Sequence, residues 1–315
     1  MSTDITSTLK KKSLDGIFNE VAHSETLGIS NNEELRLFYL KVRGKKFYTD
    51  DLQTALYRNI GRYVFSRAVL EDFHINDDDD SIISQALKIM TSNGLADTKG
   101  KGNELGEMLV YALLEEKLGA RKLMSRVEIN NNSLNNESEC ESVHLLSLEN
   151  KDGKLSYEMV FGASNIVGDI QDAIDNAFEE IKKIESRGNK EIKMVEKTAL
   201  NGFYRQDEID FIKQHIIPEP GKSGDYEIAY GVFLGYTLGV DSSGLSNVEY
   251  VDKVSKRLEL DIKNHATYIA RKIHSNGLDG HSFYFYILPF DDAESDKKEI
   301  MEHIMKGDVT LWVMN

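Results

Sequence analysis

The sequence is sparing with the residues that build special architectures. One cysteine, Cys140, excludes an intramolecular disulfide and any multi-cysteine zinc site, and points to a reducing compartment such as the cytoplasm. Three prolines exclude collagen-like and proline-rich readings. No apolar run reaches the length of a membrane span, and the opening MSTDITSTLKKK lacks the apolar stretch of a signal peptide. Positive charge is in the minority: 38 Lys and Arg stand against 53 Asp and Glu, a net charge of −15. That balance argues against tight autonomous binding of DNA, while leaving room for a local groove or a basic partner. Also missing are a phosphate-binding loop (GKGNELGE matches only in its glycines), a zincin motif and a G-x-S-x-G elbow. The eight histidines have no metal-ligand spacing, and His144, on an apolar stretch, reads as a satisfied sheet residue.

What is present is an ordinary globular balance, 40% hydrophobic and 29% charged over 315 residues, enough for one or two cores. Residues 1–97 read as a mainly helical region: 50–72 carry Leu52, Leu56, Ile60, Tyr63 and Val64 at helical spacing, and 81–93 form a shorter helix ended by Asn93-Gly94. Its aromatics, Phe47, Tyr48, Tyr57, Tyr63 and Phe65, suit either a partner surface or a local core. The segment TKGKGN at 98–103 marks a boundary, and 98–315 reads as a second unit. There ELGEMLVYALLEEKLG is a helix stopped by Gly119, and RKLMSRVEI is a strand. NNNSLNNESE reads as a loop, and strands 143–149 and 154–164 are joined by hairpin chemistry at Asn150–Gly153. An amphipathic helix covers 166–184. Helix 206–216, strand 226–238, helix 248–275, strand HSFYFYILPF and helix 294–306 follow. A hairpin followed by strands joined through helices implies an α/β (α+β) fold, a mixed sheet flanked by helices.

Glu104 and Glu107 lie on neighbouring faces of one helix, Glu141 precedes a strand, and the next strand ends in FGASN, 161–165. An acidic helix feeding a hairpin is the layout of metal-dependent nucleases, in which oxygen ligands hold Mg²⁺ and a nearby cation faces the phosphate. On spacing alone the simpler reading is solvated carboxylates.

The ordered blocks NELGEMLVYALLEEKLGA (103–120), ECESVHLL (139–146), MVFGASNI (159–166), GDIQDAIDNAFEEI (168–181), YGVFLGY (230–236) and FYFYILPF (283–290) carry a resemblance. From about residue 55 onward the chain resembles the HamA family, the nuclease subunit of the Hachiman anti-phage defence system, whose core is similar to PD-(D/E)XK nucleases. The resemblance implies a Mg²⁺-dependent DNA nuclease working in the cytoplasm with a superfamily 2 helicase (HamB-like) partner. By the same resemblance Glu107, with Glu104 beside it, matches the helix acid of GELGE, and Glu141 stands at the aspartate of a GADGVH-like motif. In the third motif, GESK in the family, Gly162 and Ser164 match, but Ala163 replaces the glutamate and Asn165 the lysine. Alanine cannot ligate a metal and asparagine carries no charge, so the chain as written is expected to cleave weakly or not at all. Ala163 is then either a substitution in an active parent or the mark of a naturally degenerate adaptor that regulates its helicase. A migrated ligand, Glu158 or Asp169, is a weaker alternative, and a small-molecule α/β enzyme has no cofactor signature to support it.

Overall fold

In the computed structural model, which describes residues 5–92, 102–131, 138–149, 152–199, 204, 206–217, 224 and 226–309, the strands and helices follow one another as set out here. Strands β1 (Phe18–Glu20), β2 (Glu33–Leu40), β3 (Val42–Arg43) and β4 (Lys46–Phe47) come first, then helices α1 (Asp50–Val64), α2 (Arg67–Ile75) and α3 (Ile82–Ser92). Helix α4 (Glu104–Leu113) runs into a π-helical turn, Leu114–Leu118, before β5 (Arg121–Ser125), α5 (Arg126–Asn131), β6 (Ser142–Glu149) and β7 (Leu155–Ile166). The chain continues through α6 (Ile170–Ser186), α7 (Gly188–Ala199), α8 (Gln206–His215), β8 (Glu227–Thr237), α9 (Asn247–Ser275), β9 (Ser282–Phe290) and α10 (Ala293–Lys306).

Strand β9, SFYFYILPF, is buried at every position, and β8 at nearly every one. Strands apolar on both faces need cover on both faces, so they take the middle of a sheet. The seven-stranded order is β1-β2-β9-β8-β7-β6-β5. β2, β9, β8 and β7 run parallel to one another, whereas β7-β6, β6-β5 and β1-β2 are antiparallel. Helices α1, α4 and α10 cover one face, and α6 and α9 the other. The mixed α/β sheet flanked by helices is therefore as the sequence implies, and the 142–149 and 155–166 strands pair antiparallel in the expected hairpin, Ser142 opposite Gly162. No described helix is long and apolar enough to cross a membrane.

Local chemistry fixes the helix starts. Asp169 caps α6 by accepting from the amides of Gln171 (2.7 Å) and Asp172 (3.3 Å). Ser246 and Glu249 close a reciprocal capping box on α9. Ser125 and Glu128 make the same exchange: Ser125 N donates to Glu128 Oε2 at 2.8 Å and Glu128 N to Ser125 Oγ at 3.4 Å. That exchange corrects the reading of RKLMSRVEI as one strand, because the chain turns into α5 at Arg126.

The first 97 residues also depart from the mainly helical expectation. Helices occupy Asp50–Ser92, but upstream of them β1 and β2 enter the main sheet, and β2 lies parallel to β9 with Glu33 opposite Phe283. Phe47, Tyr63 and Phe65 are buried in the common core, so these aromatics serve packing. The boundary at 97/98, most of the 98–103 joint, the centre of the polar loop at 132–137 and the first two residues of the Asn150–Gly153 turn lie outside the described residues.

One buried charge network fastens the N-terminal strap, residues 5–14, to the end of α4. Glu115 accepts from Thr8 N (2.8 Å), Thr8 Oγ1 (2.7 Å), Leu9 N (2.7 Å) and Lys122 N (2.8 Å), and faces Arg67 at 3.7 Å. Arg67 also pairs with Glu208 at 3.2 Å, and the buried Lys122 with Glu128 at 2.9 Å. Removing one partner of such a network leaves buried donors unmatched. Glu115→Ala is expected to destabilise the fold by about 3–5 kcal/mol, read by chemical denaturation. A loss below about 1 kcal/mol would place these residues among weak surface pairs.

Candidate functional site

The first turn of α4 lies against the ends of β6 and β7. Asn103, just ahead of the helix, donates through Nδ2 to Glu141 Oε1 (2.9 Å), Ser164 O (2.7 Å) and Ser164 Oγ (2.7 Å). Glu107 Oε2 accepts from the buried Tyr63 hydroxyl at 2.9 Å. The main-chain amide of Glu141 donates to Gly162 O at 3.0 Å. Gly106 sits inside this contact: a Cβ there would stand 2.5 Å from both Asn103 Oδ1 and Ser164 Oγ. The glycine of the ELGE segment thus permits helix and strand to close on each other.

A third carboxylate arrives from the opposite layer, Glu180 of α6. It follows Ala177 by three residues, on the border of the apolar stripe that packs α6 on the sheet. Arg126, at the start of α5, places a cation within reach of both Glu107 and Glu180. Its Nη1 donates to Ser138 O (2.9 Å) and Cys140 O (3.1 Å), holding the stretch that leads into Glu141.

Burial dominates the electrostatics. It pushes Glu107 up to about 7; the Tyr63 hydrogen bond and Arg126 oppose this, while Glu104 and Glu180 add to it. Burial likewise pushes Glu180 up to about 7, against Lys183 and Arg126. Glu141 is held well above the usual carboxylate range by burial and by the charges of Glu180 and Glu107. Glu141 Oε2, Glu180 Oε2, Asn103 Oδ1 and Ser142 Oγ are all buried without a hydrogen-bond partner. The spot is rich in oxygen lone pairs and short of positive charge.

Of the residues singled out in the sequence, Glu107 and Glu141 are brought into one electrostatic neighbourhood, and Glu104 adds its charge to Glu107 from the same helical turn. Ala163 is fully buried, and Asn165 Oδ1 accepts from Asn176 Nδ2 of α6 at 3.3 Å. Strand alternation separates these two from Ser164, which meets Asn103 at the α4 side, and turns them toward the helix that carries Glu180. Glu158 is committed elsewhere, accepting from Asn32 (2.9 Å), Ser282 (2.8 Å) and Tyr284 (2.6 Å), while Asp169 caps α6. Glu180, Arg126 and Asn103 were not singled out, and Tyr63 was marked only as an aromatic of the N-terminal region. Only the helix-start position of Asn103 and the stripe-border position of Glu180 were visible beforehand.

Mg²⁺, the ion implied by the resemblance, can be tested against the donor set. All donors are oxygens and several are unsatisfied, which suits a hard cation. Among the described residues no three His, Cys, Asp or Glu side chains stand close enough to hold one ion. Mg²⁺ commonly takes one or two carboxylates and completes its shell with water and phosphate. The oxygen donors suit that mode in kind, and the described residues do not form a three-carboxylate cage.

A family model described as HamA matches residues 15–304 of the chain. No curated protein and no solved structure matches it.

The raised carboxylates tie stability to pH. Glu107 and Glu180 move from an ordinary 4.5 to about 7 on folding, so the folded state holds more protons between those values. Their contribution is fully present below pH 4.5 and is lost as pH rises to about 7. Glu180→Gln removes the charge, so in EDTA it is expected to melt higher than the parent at pH 8, by roughly 2–4 °C for each kcal/mol of repulsion relieved. The gap should close below pH 4.5. A lower melting temperature for the variant at pH 8 would show that the ionised form is structurally required.

Proposed function

Because the chain belongs to the HamA family of anti-phage defence proteins, we propose that it is the DNA-cleaving effector of a cytoplasmic helicase–nuclease complex. The observation that carries this reading is the tie that Asn103, at the start of the acidic α4 turn, makes to both Glu141 and Ser164 of β7, with the charges of Glu107 and Glu180 felt at Glu141 and oxygens of Glu141 and Glu180 left unpartnered. In this reading Glu107 and Glu141 hold Mg²⁺, and Glu180 supplies, from α6, the negative charge that Ala163 cannot. Bound there, the ion provides Lewis acidity and a more acidic water. Arg126 takes the place of the cation missing at Asn165 and faces the scissile phosphate, where a fixed positive charge counts most. Tyr63 and Asn103 orient the two metal-holding carboxylates. The net charge of −15 suits a subunit that meets DNA through a superfamily 2 helicase partner.

A second reading, a catalytically silent adaptor that regulates the helicase, is favoured by the burial of Ala163 and the engagement of Asn165 with Asn176. The two separate in one assay. With the helicase, ATP and linear duplex DNA, cleavage is expected in Mg²⁺ and not in EDTA. Glu107→Gln and Glu141→Gln should abolish it, and Arg126→Ala should lower it by about 10²–10³-fold. Mg²⁺ should also raise the melting temperature of the parent but not of Glu107→Gln, a binding readout that needs no turnover. A folded, helicase-bound chain that neither cleaves nor responds to Mg²⁺ leaves the adaptor.

A further inference from the structure

An opening lies at the far end of α4 from the carboxylates, beside the π-helical turn. It is a cavity of about 690 Å³ between the N-terminal strap, the π-helical turn and the start of β5. Five cationic side chains line it, Lys10, Lys11, Lys12, Lys117 and Arg121, against three carboxylates, Asp15, Glu115 and Glu116. For a chain of net charge −15 this is an inversion of local sign.

The carboxylates are largely spent. Glu115 is saturated by the strap and by Arg67. Glu116 accepts from Ser13 Oγ (2.8 Å) and Leu14 N (3.0 Å) and lies 3.9 Å from Lys117. Among the described residues no ion pair engages Lys10, Lys11, Lys12 or Arg121, leaving four free cations against Asp15. The walls are fixed, because Ile5, Leu9 and Leu14 of the strap are buried in the core. Lys12 sits at φ 62, a left-handed conformation that glycine takes freely and lysine at a cost. A Lys12→Gly change therefore removes the ammonium group without straining the backbone.

We propose that this cavity binds a multiply charged phosphate group. The volume is that of a small-ligand site, and clustered flexible ammonium groups with one guanidinium suit closely spaced phosphates. The phosphates can come from a free nucleotide polyphosphate or from a nucleic-acid backbone. The cavity lies roughly 12 Å from Glu107, at 1.5 Å of helix rise per residue, and is distinct from the carboxylate site. It stands whether or not that site cleaves DNA.

The test uses the full chain in EDTA, so that cleavage plays no part, and follows binding of tripolyphosphate, ATP and a fluorescent duplex at low salt. Binding of any of the three, weakened at least tenfold in a Lys10→Ala, Lys11→Ala, Arg121→Ala variant, supports the site. Duplex alone identifies a nucleic-acid backbone, and tripolyphosphate and ATP alone a free nucleotide. Lys12→Gly separates ligand from scaffold: it should fold at least as stably as the parent and bind several-fold more weakly. Affinities unchanged in both variants, no binding in any arm, or equal binding of a poly-glutamate peptide would each overturn the proposal.

Discussion

Glu115 is the carboxylate around which the α4 layer is assembled. Burial alone would drive its proton affinity up, but Arg67 and the amides of Lys122 and Leu9 hold it below the usual range. Those partners belong to α2, β5 and the N-terminal strap, so one ionised side chain joins three stretches far apart in sequence. The arrangement is specific because each partner is satisfied only when all are in place. It also anchors α4 at its C-terminal end, which leaves the N-terminal turn free to carry less comfortable chemistry.

The two ends of α4 are opposites. At one, buried charge is matched donor for acceptor. At the other, Glu107 and Glu180 press their charge on the buried Glu141, oxygens of Glu141 and Glu180 are unpaired, and Arg126 and Lys183 offset only part of the charge. A well-anchored scaffold can hold a destabilising cluster, and such clusters gather where a protein binds or reacts. The close approach at Gly106 is the packing counterpart: the helix is pressed onto β7 where Asn103 meets Ser164.

Much of this was legible in the chain. Strands β8 and β9 announced themselves by unbroken apolar runs, α6 by its stripe, and the β6–β7 hairpin by its turn residues, because each signal is local. β2 was not legible. Its EELRLFYL mixes acidic and apolar residues, and its partner β9 lies near the other end of the chain. α5 was missed although Ser125 and Glu128 carry a capping box, since the apolar Val127 and Ile129 suggested a continuing strand. At the candidate site Glu107 and Glu141 were marked through the family resemblance, since their spacing alone reads as solvated carboxylates. Glu180 and Arg126 became visible only in three dimensions, because their relevance depends on how α6 and α5 lie against the sheet.

The parallel pairing of β2 with β9 sets a schedule for the nascent chain. Residues 33–40 leave the ribosome early, yet their partners, beginning at Phe283, are among the last to be made. At about 5–20 residues per second the wait is roughly 12–50 s. During it one edge of LRLFYL has no permanent neighbour, while β1 can pair with the other edge as soon as it emerges. The charged opening of β2, Glu33 and Glu34, together with Arg36 and Glu20, which pair at 2.7 Å in the finished fold, makes that waiting strand a poor template for another chain.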